Sequence, residues 1–381
     1  MLILQSRAVF MAKSLVVIPS VRNPAVVSDY IKNAAGRGFD TGKLHLLVIT
    51  EDSVEKRLYE SEAKDFGASI DVYNQADRER FFKDFNISKY SMLIPKKSHA
   101  ETSFGLLYLW LHKEFEYAFL IDDDTEPHPK FNFFGEHISN LNYSGEVTEV
   151  SSDKRWVNVL HDNYANRGLY PRGYPYSKMG ETNTKLRKRV KTGDVWISQG
   201  LWTNVPDLDA IRILMDGDLN GQAKTRLSAD DFKENFVVAR DNFLTVCSMN
   251  LALRREIVPF FYQFPMDDNR WRIGRFDDIW SGIIAKKALD ILGKDIITGF
   301  PLCIHNKAMR STFKDVNAEA PGYESNEHFS ETVSAYSHAT GDVFELARGL
   351  ARKVSDDGVT EFTRYCGDYF GKWVEMIAGL A

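Results

Sequence analysis

Apolar residues cluster in short unbroken runs through the first third of the chain. Residues 14–20 (SLVVIPS), 44–50 (LHLLVIT) and 117–121 (YAFLI) are too short for buried helices, so each predicts a strand. Residues 68–73 (ASIDVY) add another. Runs without polar alternation belong to strands covered on both faces. Between them lie helical patterns, one opening at Asn23-Pro24 and running to Ala35, where Pro suits a first turn, and one near 103–114. Strands separated by helices predict right-handed crossovers and an α/β fold, with a mostly parallel sheet flanked by helices. The last fifty residues change period. Val343, Ala347, Leu350 and Val354 follow helical spacing, as do Phe362, Cys366, Phe370, Trp373 and Ile377, with Asp356-Asp357-Gly358 between the two sets. The pattern predicts a catalytic unit over 1–325 and an appended C-terminal helical hairpin over 326–381.

Composition narrows the function classes. The 381 residues are 44% hydrophobic and 27% charged, ordinary globular usage. Lys and Arg total 48 against 53 Asp and Glu, so the net charge is 48 − 53 = −5. No global attraction for nucleic acid or anionic membrane follows, and an anion site must be local. Aromatics at 13% favour surfaces on which bases or sugars stack. Cys247, Cys303 and Cys366 form no CxxC pair, which argues against a zinc knuckle or disulfide scaffold and points to a cytoplasmic location. No apolar run is long enough for a transmembrane helix. The apolar start at 1–10 lacks a basic region and predicts no signal peptide, with Met11 an alternative start.

In sheets of this kind ligands bind beyond the carboxyl ends of strands. Two acidic groups stand there, Glu51-Asp52 and Asp122-Asp123-Asp124. Three acids directly after an apolar strand repel one another unless a cation sits among them. Mg²⁺ or Mn²⁺ prefers carboxylate oxygens and shares its shell with a diphosphate. Asp122 and Asp124 fall on one side of an extended strand end and are the preferred ligands; the bland alternative is a solvated turn or a cap. Asp277 and Asp278, in 275–280 (RFDDIW), are helix caps or a positioned base. Arg172 lies between Pro171 and Gly173, either on a functional loop or in a surface turn paired with an acid. Residues 198–210 (SQGLWTNVPDLDA) read as a loop, with Trp202 in the core or walling a sugar. His305 after an apolar strand is a structural residue, or a further ligand if the metal is there. Lys185, Arg187, Lys188, Arg189 and Lys191 read as a solvated mobile loop able to cover a phosphate.

Taken together, VVIPSVRN (16–23), the IDDD strand end, PRGYPYS (171–177), SQGLWTNVPDLDA, CSMNLALRRE (247–256), IGRFDDIW (273–280) and TGFPLCIHNKA (298–308) resemble, in that order, the reversibly glycosylated polypeptides, the UDP-arabinopyranose mutase family. The resemblance covers roughly residues 14–325. It implies a GT-A-like nucleotide-sugar fold, Mn²⁺ or Mg²⁺, and a UDP-sugar substrate whose pyranose and furanose forms are interconverted. It implies self-glycosylation at Arg172, with Asp277 and Asp278 as its catalytic partners. Asp122, Asp124 and His305 become metal ligands. Pro19, Arg22, Glu51, Asp52, Asp123, Tyr174, Trp202, Asn250 and Lys307 become substrate-binding residues, and a homo-oligomer is implied. No GxGxxG fingerprint occurs, so a flavin route is disfavoured. Thr50-Glu51-Asp52 replaces the Asp-Gly-Asp of plant members. The competing readings are a glycosyltransferase serving a glycan acceptor and a non-catalytic UDP-sugar-binding protein.

Overall fold

The structure is a computed structural model that describes residues 13–164, 168–192, 194–266 and 269–381. The alternative start at Met11 lies outside them. Strands β1 (Lys13–Pro19), β2 (Leu44–Ile49), β3 (Ser69–Tyr73) and β4 (Phe115–Ile121) pair in parallel in the order β3-β2-β1-β4. Helices α1 (Ala25–Gly36), α2 (Arg57–Ala63), α3 (Gln75–Asp84) and α4 (Thr102–Leu111) lie between them. The expected strands and helices therefore form, with ends shifted by a residue or a few.

Residues that alternate along β1 serve two cores. Leu15 and Val17 join one cluster, which contains Phe104 and Leu107 of α4; Val16 and Ile18 join the other, which contains Val26 and Tyr30 of α1. This is the reason the strand reads as unbroken apolar sequence. At Gly105 a Cβ would fall 2.3 Å from Val17 Cγ1, so only glycine lets α4 approach β1 this closely.

Beyond β4 the chain adds β5 (Thr125–Pro127), α5 (Phe133–Leu141), β6 (Ser144–Ser152), α6 (Val159–Asp162), β7 (Thr184–Thr192), β8 (Val195–Asn204), α7 (Ala210–Met215), β9 (Phe236–Val238), β10 (Asn250–Arg254), α8 (Asp277–Leu292) and β11 (Asp295–His305). The sheet continues from β4 as β10-β8-β11-β9-β6-β7. Strand β10 is antiparallel to both neighbours, whereas β8 and β11 run parallel.

Two expectations are corrected here. The basic run is the edge strand β7, not a loop. Pairing with β6 places Arg187 2.5 Å from Glu149, and Arg189 2.9 Å from both Glu149 and Asp295, so its charges are drawn into strand pairing. The SQGLWTN stretch is the central strand β8, not a loop, because its side chains are buried among neighbouring strands.

Three helices close the chain: α9 (Thr312–Ser334), α10 (Val343–Asp357) and α11 (Glu361–Gly379). The expected hairpin is α10–α11. Asp342 caps α10 by accepting Glu345 N at 2.7 Å, and Thr360 and Thr363 cap α11 reciprocally. Residue 325 falls inside α9. Leu350, Phe362, Phe370 and Trp373 share one apolar cluster with β1 and α8. Trp373 donates to Val258 O at 3.0 Å and stacks on Tyr262.

Candidate active site

Topology brings the acidic strand end to its partners. Because β1 and β4 are parallel neighbours, the turn after β1 meets the turn after β4. Asp123 Oδ2 accepts from Ser20 Oγ at 2.9 Å, Oδ1 from Arg22 at 3.1 Å, and its carbonyl from Asn23 Nδ2 at 2.7 Å. Pro19 ends β1 beside this turn. Strand β5 pairs antiparallel with β11, with Thr125 opposite His305, so the triplet also meets the end of β11. His305 Nε2 stands 3.9 Å from Asp124 Oδ2, and Nδ1 lies 2.8 Å from Val205 O. A carbonyl only accepts, so Nδ1 carries the hydrogen and Nε2 presents a lone pair toward Asp124. Burial keeps the ring neutral by lowering its pKa, against the raising influence of Asp124 and Asp207.

Arg172 is the centre of a second group. The turn after Pro171 is possible because Gly173 adopts φ +81°, and its α-carbon packs on Ile279 of α8. Four of the five guanidinium hydrogens have a hydrogen-bond acceptor. Nε donates to Asp207 at 3.1 and 3.2 Å and Nη2 to Asp278 at 3.0 Å, with Nη2 also in ion-pair contact with Asp207 at 3.0 Å. Nη1 donates to Asp278 at 3.1 Å and to the carbonyl of Arg275. Arg172 is 8% exposed, Asp207 4% and Asp278 5%. Burial alone would lower the Arg172 pKa; the two carboxylates overcome it and hold the group cationic. Burial likewise would raise Asp207, yet Arg172, Lys307 and His305 hold it below the usual carboxylate range. As arranged, Arg172 is a clamped cation rather than the free nucleophile that self-glycosylation calls for.

The charges of both groups act on Asp122. Burial, then Asp124, Asp278 and Asp123, push its carboxyl well above the ordinary range, and Arg172 offsets this only in part. Like charges gathered here demand a proton or a cation. Among the described residues no group of three or more His, Cys, Asp or Glu side chains forms a ready metal cage. The three-ligand set Asp122, Asp124 and His305 is therefore not preformed. Its parts still suit a cation: His305 donates its other ring hydrogen to a carbonyl, as metal-bound imidazoles do, and 3.9 Å to Asp124 is too long for a hydrogen bond but spans two ligands of one ion.

The remaining expected residues separate into two sets. Lys307 is 6% exposed with no hydrogen-bond partner on Nζ among the described residues; burial and Arg275 lower its pKa while Asp207 raises it. Arg22 is exposed and bridges Asp123 to Asp124. Tyr174, Trp202 and Asn250 stand in packed, buried positions. Tyr174 is 1% exposed with its hydroxyl on Trp156 O, Trp202 is buried in the main apolar cluster, and Asn250 holds His137 Nε2 and Leu201 O. Asp52 accepts Ala76 N at the start of α3, a capping role. Glu51 shares Lys97 N with the buried Glu101, beside Arg78. Sequence reasoning missed Asp207 and Glu101. Asp207 stood within the quoted stretch NVPDLDA, where an acid flanked by apolar residues was the available signal.

A family model described as "Reversibly glycosylated polypeptide" matches residues 17–376. The chain belongs to the reversibly glycosylated polypeptide family. "UDP-arabinopyranose mutase 1" of Arabidopsis thaliana is 30% identical over 299 residues, covering 77% of this chain and 71% of that protein. "Probable UDP-arabinopyranose mutase 2" of Solanum tuberosum is 27% identical over 373 residues, covering 94% and 88%. Among solved structures, the mannosyltransferase PcManGT of Pyrobaculum calidifontis, in complex with GDP-Man and Mn²⁺, aligns with 97% of this chain and 86% of its own, at 11% identity and a TM-score of 0.38. At that score the likeness bears on nothing that follows. Within the family reading, the motifs that carried the resemblance are those that meet around Arg172 and Asp122. Among the described residues no helix is long and apolar enough to cross a membrane.

Proposed function

We propose that this member of the family is a UDP-sugar mutase that interconverts pyranose and furanose forms of its sugar. The observation that carries this reading is the buried Arg172–Asp207–Asp278 cluster whose charges act on Asp122 at the strand end. It is supported by relatives named UDP-arabinopyranose mutase.

Ring exchange breaks the bond from C1 to the phosphate oxygen, with the electron pair leaving on the diphosphate as a protein nitrogen bonds to C1. The C1–ring oxygen bond then opens, another hydroxyl recloses the ring on C1, and the diphosphate oxygen re-forms its bond to C1 as the nitrogen leaves with its electron pair. Arg172, Arg22 and Lys307 supply fixed positive charge around that leaving group. Asp122, Asp124 and His305 would hold a divalent cation, which neutralises diphosphate charge when bound. Asp278 lies on both terminal nitrogens of Arg172 and is the group placed to take a proton from one of them. A bond from that nitrogen to C1 forms only together with this transfer, since the resting guanidinium has no lone pair to offer. Self-glycosylation is thus a gated event at Arg172.

The test is product analysis with UDP-arabinopyranose and Mn²⁺ in the absence of any acceptor. Wild type yields the furanose isomer, and Arg172→Ala and Asp124→Ala lose it by about 10²-fold or more. Hydrolysis without isomer in the wild type would instead favour a transferase, and unchanged exchange in Arg172→Ala would remove the residue from the reaction.

A further inference from the structure

Helix α9 presents a buried carboxylate to two of the segments that meet at Arg172. Glu319 is 1% exposed. Its Oε1 accepts Arg275 Nε at 2.5 Å, and its Oε2 accepts Ala210 N at 2.7 Å and Tyr323 Oη at 2.9 Å. Ala210 opens α7 three residues beyond Asp207. Arg275 stands three residues before Asp278 and lends Arg172 its carbonyl.

Arg275 is also in the left-handed region, at φ 67°. A residue with a side chain avoids this conformation unless its surroundings impose it. The ion pair with Glu319 and the bond of 3.0 Å from Gly274 N to Ala318 O hold this turn, which aims the Arg275 carbonyl at Arg172 Nη1. Asn326 of α9 also reaches the Arg172 turn, at Gly173 O, and Trp280 Nε1, whereas Glu327 docks the helix on Ser177.

We infer that Glu319 is the positioning residue for Arg172, holding the Arg275 turn and the Asp207 segment in register so that the guanidinium meets Asp207, Asp278 and the Arg275 carbonyl together. Glu319 acts through these segments rather than on Arg172 itself. The kinetic consequence rests on the mutase reading above, while the geometric one does not.

Glu319→Gln is the test, since the amide sets a donor against either Arg275 Nε or Ala210 N. In crystals of the variant, Arg275 O is expected to move beyond about 3.5 Å from Arg172. In the exchange assay kcat falls about tenfold or more, with KM within about twofold. Glu327→Gln, which touches only the docking contact, leaves both readouts unchanged. Arg172 undisturbed in Glu319→Gln crystals overturns the inference, as does kcat within twofold of wild type, or an equal loss in Glu327→Gln. Should the wild type catalyse no exchange, the mutase reading falls and the crystals alone decide. If Glu319→Gln does not fold, Arg275→Lys keeps the charge but moves the donor, and it carries the same criteria.

Discussion

Removing Asp207 isolates the physics of the Arg172 cluster. In Asp207→Ala the guanidinium loses the acceptor of Nε and the ion-pair contact of Nη2, and a buried cation is left with Asp278 as its one carboxylate partner in the cluster. Breaking a buried ion pair from one side costs about 3–5 kcal/mol, and the remaining fork to Asp278 places this case at the lower end, about 3 kcal/mol. With an unfolding entropy of about 2.1 cal/mol/K per residue, 381 residues give about 0.8 kcal/mol/K, so the midpoint should fall by about 4 °C. The Asp207 pKa is depressed in the folded state. Its contribution is therefore present above the unfolded carboxylate value of about 3.9 and is lost as pH falls through the lower folded value. The deficit should stay constant between about pH 5 and pH 8 and shrink in more acid solution. Arg172→Met supplies the decisive comparison. That variant leaves Asp207, Asp278 and Asp122 without their shared cation, and adding Asp207→Ala should then cost nothing or restore stability. The assay is urea and thermal unfolding of the two single variants and the double. A midpoint drop below about 1 °C in Asp207→Ala, or additivity within about 0.5 kcal/mol, refutes the reasoning.

Two further outcomes follow from other parts of the fold. Burial pushes the Glu101 carboxyl to about 7 from 4.5, with Arg78 opposing and Glu51 reinforcing. A raised acid binds its proton more tightly when folded, so its stability is full below the unfolded value and is lost as pH rises through about 7. At 1.36 kcal/mol per unit the loss is about 3 kcal/mol; Glu101→Gln should flatten the decline in melting midpoint between about pH 5 and 7.5, and an identical profile counts against the buried acid pair. Gly173→Ala sets a Cβ 2.4 Å from Ile279 Cγ2 at φ +81°, so it should destabilise by about 2 kcal/mol or more and loosen the Arg172 turn; a midpoint equal to wild type would show that the turn accepts a side chain.

Much of this protein is legible in one dimension. Strands β1, β2 and β4 announce themselves as unbroken apolar runs because the sheet is covered on both faces, and α10 and α11 by their 3.6-residue spacing. The family, the acidic strand end and Arg172 were likewise available from ordered motifs. The β7 strand was not: in KLRKRVK the two apolar residues, Leu186 and Val190, flank Lys188 on one face and stay exposed, and pairing with β6, where Arg187 meets Glu149, makes the run a strand. Trp202, Tyr174 and Asn250 lie in motif stretches yet serve the core, because motif membership does not say which way a side chain turns.

What the linear sequence determined is the class of fold, the family and the presence of an acidic triplet at a strand end. What only the tertiary structure decided is which carboxylates answer Arg172. Asp207 and Asp278 stand 35 and 106 residues from it, and Glu319 acts through Arg275 from a helix still farther along. A buried charge must be neutralised within a few ångströms, and chain separation carries no information about that distance until the sheet and helices have packed.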